Sequence, residues 1–356
     1  MVCNFYARIV IEFYLILIVT NSLNLSFKYL KSCYTILLND KGRRRTMNIR
    51  NEHFLRDLIL EAFYAHPKTK ELVVLKGGQA LNLYGFSSRE SYDIDFTIKQ
   101  AKEKVFEELN PLVKENLAET FLKRNYYFFD YRFDLKPKKR HRALPPYWGG
   151  YAITFKVIPL EEKKNIESQY PADKEKQLER MRASAAPFGK NNSTKVELDF
   201  SYHEYVGELE QIELVSSITE SGYKVSLYRP IILVYEKMRA LCQNIPGDHL
   251  PVNKTARARD LYDIYSIVYS ESKYALEEED ILENIHELKK SFEAKEVPLA
   301  LLLQLSQSKE SLEKDFYDTL LQTVPEAKKV GFQYIYEYTE NLMIQCYHLL
   351  SNKLEG

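Results

Sequence analysis

The sequence predicts an α+β fold, a mixed sheet with flanking helices followed by a helical domain, and three observations lead to it. A short apolar run ends at Gly77-Gly78 and passes directly into a helix-forming segment. Two further segments, Ser91 to Ile98 and Lys195 to Tyr202, alternate strictly between apolar and polar residues. After Pro230 the apolar residues recur only at helical intervals. The divisions that follow are residues 47–228 for the mixed part and 229–356 for the helical part, with residues 1–46 set apart as an atypical apolar and basic leader.

A chain of 356 residues exceeds one typical domain, and 45% hydrophobic with 28% charged residues is the balance of a folded protein. Fifty basic residues cancel fifty acidic ones, so the chain as a whole has no pull toward nucleic acid or anionic lipid, and any polyanion has to be held by a local patch. The four cysteines, Cys3, Cys33, Cys242 and Cys346, lie far apart, with no paired CxxC and no histidine at zinc-ligand spacing. They read as free thiols in a reducing, cytoplasmic setting; two disulfides in an exported protein are the alternative.

The leader holds an apolar run from Ile9 to Leu25, interrupted by Glu12 and Asn21 and followed by Lys41, Arg43, Arg44 and Arg45. Three readings stand side by side: a membrane anchor, a signal segment, and upstream translation ahead of a start at Met47. A signal segment fits least well, because the positive charge follows the apolar run. Without this segment the body carries 43 basic and 48 acidic residues and is mildly acidic.

Along the body, Phe54, Leu55, Leu58, Ile59 and Phe63 recur at helical spacing between Asn51 and Tyr64, and Pro67 stops the pattern. Glu71 to Leu75 is a strand, and Gln79 to Tyr84 a short helix closed by Gly85. In the next strand Tyr92, Ile94, Phe96 and Ile98 share one face, while Asp93, Asp95 and Thr97 share the other. Glu103 to Phe121 is expected to be a helix, and Tyr126 to Leu135 and Tyr151 to Ile158 two aromatic-rich strands joined by a basic, proline- and glycine-rich connection. The strand at Lys195 places Lys195, Glu197 and Asp199 on one side. Helices are expected at Ile231 to Cys242, Ala256 to Tyr269, Glu278 to Ala294 and Glu310 through Leu354.

Two acids at i and i+2 on a strand project side by side, and carboxylate oxygens are the ligands hard cations such as Mg²⁺ prefer. A two-metal phosphoryl site usually needs a third carboxylate, for which Glu197 and Asp199 are both candidates. By itself such a pair is also what any half-solvated strand shows. Gly77-Gly78 shifts the balance: it lies between strand and helix, where backbone N–H groups and the helix dipole can receive a triphosphate without side chains in the way. Glycine turn, short helix, Arg89-x-Ser91 and acid pair together form a four-part constellation within twenty residues.

The run Lys76-Gly-Gly-x-x-Leu81, with Arg89-x-Ser91-x-Asp93-Ile-Asp95-Phe after it, resembles the first motif of the AbiEii-type nucleotidyltransferase toxins, a branch of the polymerase-β-like superfamily. Lys195-Val-Glu197-Leu is similar to their second motif. Glu236-Lys237-Met-Arg-Ala-Leu241 resembles the helix that supplies a functional lysine, and Arg259-Asp260-Leu-Tyr-Asp263 resembles the family's Arg-Asp-x-x-Asp helix. The resemblance implies a polymerase-β-like nucleotidyltransferase domain over residues 47–228, with Mg²⁺ or Mn²⁺ as cofactor and an NTP as substrate. It implies that Asp93 and Asp95 bind the metal with Glu197 as third acid, Asp199 sharing its face and able to serve instead. Lys76, Gly77, Gly78, Arg89 and Ser91 would face the triphosphate, Lys237 would steady phosphate charge, and Asp260 would be an active-site residue that orients Lys237 or Arg259. It implies further an RNA acceptor such as a tRNA 3′ end, a role in a toxin–antitoxin or phage-defence pair, a separately encoded antitoxin, and no membrane association unless residues 1–46 are an anchor. The turn is Gly-Gly where many relatives have Gly-Ser, a loss for which the charge of Lys76 would compensate.

Two other function classes remain open on sequence: an antibiotic-type small-molecule nucleotidyltransferase, and a relative that binds nucleotide or RNA without turnover. The basic stretch Lys136-Pro-Lys138-Lys139-Arg140-His-Arg142, near Tyr131, Phe133, Tyr147 and Trp148, reads either as an RNA-phosphate patch or as a solvated hairpin tip. The aromatic residues of the last helices, Phe332, Tyr334, Tyr336, Tyr338 and Tyr347, read with Met343 as packing.

Overall fold

The alternating segments become strands of one mixed sheet. The computed structural model describes residues 52–87, 93–99, 103–137, 149–187, 193–216, 221–246 and 256–355. Residues 1–46, Arg89, Ser91, Lys138 to Arg142, Tyr147 and Trp148 lie outside the described residues.

Helix α1 (Glu52–Tyr64) buries Leu55, Leu58, Ile59 and Phe63 on its apolar stripe. Strand β1 (Val73–Lys76) leads without a loop into α2 (Gly77–Tyr84), which Gly85 ends in the left-handed conformation at φ 76°. Strand β2 (Ile94–Ile98) follows. The single helix expected from Glu103 is two, α3 (Glu103–Glu108) and α4 (Asn110–Lys123). Pro111 is the reason: it lacks the N–H an unbroken helix needs and suits a first turn.

The aromatic-rich strands are β3 (Tyr126–Lys136) and β4 (Gly150–Pro159). Two helices the sequence reading did not propose come next, α5 (Leu160–Gln169) and α6 (Lys174–Ala183). Strand β5 (Val196–Ser201) is the expected second alternating strand, and β6 (Leu209–Val215) with β7 (Gly222–Tyr228) forms a further antiparallel pair.

The seven described strands run in the order β3-β4-β5-β2-β1-β7-β6. β1 is antiparallel to β2 and parallel to β7, and β2 is parallel to β5. The two acid-bearing strands are therefore adjacent at the middle of the sheet, although a hundred residues separate them in sequence.

After Tyr228 the described chain is helical: α7 (Pro230–Gln243), α8 (Ala258–Tyr269), α9 (Glu278–Glu283), α10 (Ile285–Glu293), α11 (Lys309–Asp315), α12 (Ala327–Val330) and the long α13 (Phe332–Glu355). The expected Glu278–Ala294 helix is interrupted at Asn284, and the run from Glu310 is broken around Pro325 and Gly331, the latter at φ 87°. One apolar core runs from Leu55 in α1 through the sheet strands to Leu350 in α13, so sheet and helices share an interior. Phe332, Tyr336 and Met343 are buried in it, while Tyr334 is exposed. Cys242 and Cys346 are free thiols in that interior. Among the described residues no helix is long and apolar enough to cross a membrane.

Candidate active site

The junction of β1 and α2 is built on backbone conformation. Gly77 sits at φ 66°, a region L side chains rarely occupy, and a Cβ there would come within 2.6 Å of the Asp95 Oδ2. The turn thus lies directly on the carboxylate of β2. Lys76 precedes it in extended backbone and its side chain does not cap α2, whose first turn carries the helix's partial positive charge.

Sheet register determines which acids meet. Lys76 lies opposite Asp95 in the β1–β2 ladder, and Asp95 is level with Asp199 in the β2–β5 ladder. Directly paired residues put their side chains on the same face, so Lys76, Asp95 and Asp199 form a row across three neighbouring strands. Asp93 stands exposed just before β2, and Glu197 is one step along β5 on the same face as Asp199. At the far end of the row the Lys136 ammonium pairs closely with Asp199 and lies 3.2 Å from Glu197, which is also paired with Lys195. These two lysines hold the Glu197 carboxyl below its ordinary range, Lys195 most strongly.

Asp95 is pushed the other way. Burial raises its pKa first, and the nearby charges of Asp199 and Asp93 raise it further, while Lys76 and Arg259 oppose them. Mutually repelling carboxylates, all oxygen donors, beside a close-approach glycine form a set that fits a hard divalent cation. Among the described residues no three acidic, histidine or cysteine side chains are gathered at metal-holding distance. The fit therefore rests on the donor chemistry and register of Asp93, Asp95 and Asp199.

The helical part brings its own charges to the same place. On α7, Lys237 donates to Asp260 at 3.2 Å and to Asp263 at 2.5 Å, both almost wholly buried on α8. Arg257 closes on Asp260 as well, and burial of that carboxyl is more than offset by Arg257 and Lys237, which lower its pKa. Asp260 thus pairs with Lys237, one of the two partners expected of it, and with Arg257, while Arg259 acts on it by charge alone. Arg259 is exposed, and its charge, with that of Arg257, is felt at Asp95 and acts between α8 and the acid row.

Lys76, expected to face the triphosphate, is engaged by carboxylates in this structure. Its ammonium pairs closely with Glu204 and lies 3.6 Å from Glu236. Sequence reasoning did not single out Glu204, Arg257 or Lys295. None stands in an alternating or spaced motif, and only the fold brings them to the acid row. Glu236 and Arg239, which also join this group, lie within the lysine helix at i and i+3, a spacing at which opposite charges pair.

The family model for the nucleotidyl transferase AbiEii toxin of type IV toxin–antitoxin systems matches residues 58–337, well over half of the chain. No match is found among curated protein sequences. Among solved structures, JHP933 from Helicobacter pylori is similar at TM-score 0.40 and 14% identity, covering 87% of this chain and 96% of that one. A second H. pylori protein, described provisionally as a nucleotidyltransferase, is similar at TM-score 0.43 and 15% identity, covering 86% of this chain and 98% of the other. On the family match, which takes in the glycine turn, the acid strands and the α7 and α8 helices, the chain belongs to the AbiEii nucleotidyl transferase toxin family, and is a nucleotidyltransferase.

Proposed function

We propose that this enzyme transfers a nucleoside monophosphate from an NTP to a hydroxyl of RNA, releasing pyrophosphate, and that this transfer is its toxic act. The acceptor hydroxyl oxygen attacks the α-phosphorus and releases its proton to solvent, while the bond from that phosphorus to the α–β bridging oxygen breaks and pyrophosphate leaves with the electron pair. Asp93, Asp95 and Asp199 would hold divalent cations, which would supply the positive charge that such a phosphoryl transfer needs. The register that pairs Asp95 with Asp199, with Gly77 seated on Asp95, is the single observation that supports this reading best.

Gly77, Gly78 and the first-turn amides of α2 receive the triphosphate, because they offer donors and partial positive charge with no side chain between. Arg89 and Ser91 are proposed to join them. Arg259 and Arg257 face the acid row from α8 and offset the phosphate charge, and Lys237 with Asp260 braces Arg257. Asp199 is preferred to Glu197 as third acid because it is level with Asp95; Lys136 reaches both acids, and a cation arriving at Asp199 has to displace it. Such a site works by positioning and electrostatics, without covalent chemistry from the protein.

RNA is preferred over a small molecule because family membership makes the enzyme a toxin, and arresting growth requires an acceptor the cell cannot spare. An antitoxin encoded nearby and action in the cytoplasm belong to the same reading. Induced expression in a bacterial host is expected to arrest growth and leave RNA carrying added nucleotides, and Asp93→Ala is expected to abolish both. Arrest that persists undiminished in Asp93→Ala, or nucleotide found on an aminoglycoside and not on RNA, counts against the proposal.

A further inference from the structure

Four charged side chains stand in line across the sheet face: Lys76, Asp95, Asp199 and, reaching in from β3, Lys136. Lys136 shows what a lysine ordinarily does beside a carboxylate, since its ammonium sits on Asp199. Lys76 has the same opportunity, lying directly opposite Asp95 with its side chain on the same face. It does not take it. Its ammonium is drawn away to Glu204 and Glu236.

Both glutamates are themselves fixed. Thr97, two residues beyond Asp95, donates to the Glu204 Oε2 at 2.8 Å, and Tyr228 donates to Thr97 at 2.7 Å. The other Glu204 oxygen lies 3.6 Å from the Lys295 ammonium, which donates to the Tyr202 carbonyl at 2.9 Å. Arg239 lies 3.4 Å from Glu236 on the same helix. The side chains of Lys76, Glu204 and Glu236 are only 13%, 8% and 13% exposed, so water does little to loosen the arrangement.

An ammonium on Asp95 would both occupy its oxygens and repel a cation arriving there. We infer that Glu204, assisted by Glu236, is a positioning residue that holds the Lys76 ammonium off Asp95 and leaves that carboxylate to a divalent cation. The inference rests on the cation-binding reading of Asp95 given above. It also gives buried Lys76 a role other than contact with phosphate.

The test is Mn²⁺ binding to the full chain, read from the electron paramagnetic resonance of free Mn²⁺ with no turnover required. Wild type, Asp95→Asn, Glu204→Gln, Lys76→Met and the Glu204→Gln/Lys76→Met double variant are compared. Glu204→Gln is expected to weaken binding at least tenfold, because Lys76 is released onto Asp95. The double variant is expected to return to within threefold of wild type. A merely structural role predicts the reverse, with the double variant impaired at least as much as Glu204→Gln, and that result overturns the inference. Should Glu204→Gln fail to fold by circular dichroism, Glu204→Asp decides: it keeps the charge but shortens the reach, so a several-fold weakening cured by Lys76→Met is expected, and wild-type affinity overturns the inference. Wild type that binds no Mn²⁺, or Asp95→Asn that binds as wild type does, overturns the cation reading and this inference with it. Asp95-dependent binding in wild type with undiminished affinity in Glu204→Gln overturns this inference alone.

Discussion

Gly77 and Asp95 constrain each other at the level of single atoms. Alanine at position 77 would need left-handed backbone and would drive its Cβ to 2.6 Å from the Asp95 Oδ2, so the carboxylate must move. Backbone strain of this kind costs about 1–2 kcal/mol. Gly77→Ala is therefore expected to lower stability by about that much in a denaturant titration and to remove nearly all transfer activity. Gly85→Ala is the matched control: φ is 76° there too, but a Cβ meets open space, so a similar loss of stability with activity kept is expected. The third carboxylate is settled at the same scale by kcat/KM. Asp199→Asn is expected to reduce it by about a thousandfold, on the order of 4 kcal/mol of transition-state stabilisation. Glu197→Gln is expected to cost less than tenfold, and the opposite ranking would return the role to Glu197. Both acids were legible in the alternating strand, but the choice between them was not. Sequence gives the side a residue faces, whereas which acid meets Asp95 depends on how two strands a hundred residues apart are aligned.

Elements with a strong period and a clear stop were readable almost to the residue. α1 ends three residues before Pro67, α2 closes at Gly85, and α7 opens on Pro230, each at a residue whose backbone chemistry marks the boundary. Elements with a weak apolar face were missed. α5 buries Ile166 alone and so lacks the pattern of a core-facing segment, and β6 alternates but buries none of its residues fully, Ile212 and Leu214 only leaning on the core. The α7–α8 pair was readable as two helices with one link, Asp260 to Lys237, but the parts of Asp263 and Arg257 in that joint were not. Lys237 lies between Asp260 and Asp263, and removing it leaves two buried carboxylates with Arg257 as the principal cation. Lys237→Met is accordingly expected to destabilise the protein by about 3–5 kcal/mol, measured by equilibrium unfolding. A loss under 1 kcal/mol would show that α7 and α8 are held by their apolar contacts alone.

Across the whole molecule, the charged cluster under the glycine turn joins the sheet to the helices. Arg229 reaches Glu287 through two 2.7 Å hydrogen bonds, and Lys295 reaches the Tyr202 carbonyl and Glu204. Burial lowers the Lys295 ammonium to about 8, with Glu204 only partly opposing the effect. The sign follows from that direction. Below pH 8 the lysine is charged in both folded and unfolded chains, and the fold bears the cost of burying it. As pH rises from about 8 toward the ordinary lysine range near 10.4, the folded chain gives up its proton first and that cost is relieved. Stability is therefore expected to gain on the order of 1 kcal/mol per pH unit from this residue over that window, and Lys295→Met is expected to lose the gain. Equal pH profiles for the two proteins between pH 7.5 and 9.5 would remove Lys295 from the account.

The motifs hold Lys76, Glu236 and Arg239 but not Glu204, Arg229, Glu287 or Lys295, because these come from separate segments that meet only once the chain is folded. The proposed transfer requires the acid row and the glycine turn to act on one nucleotide. The measurement that addresses this most directly is transfer of label from an α-phosphate-labelled NTP to total RNA by the purified chain, with Mg²⁺ or with chelator, beside Asp95→Asn. Labelled RNA and stoichiometric pyrophosphate from wild type, lost with chelator and reduced at least a thousandfold in Asp95→Asn, is the predicted result. Transfer that proceeds equally well in Asp95→Asn would contradict it.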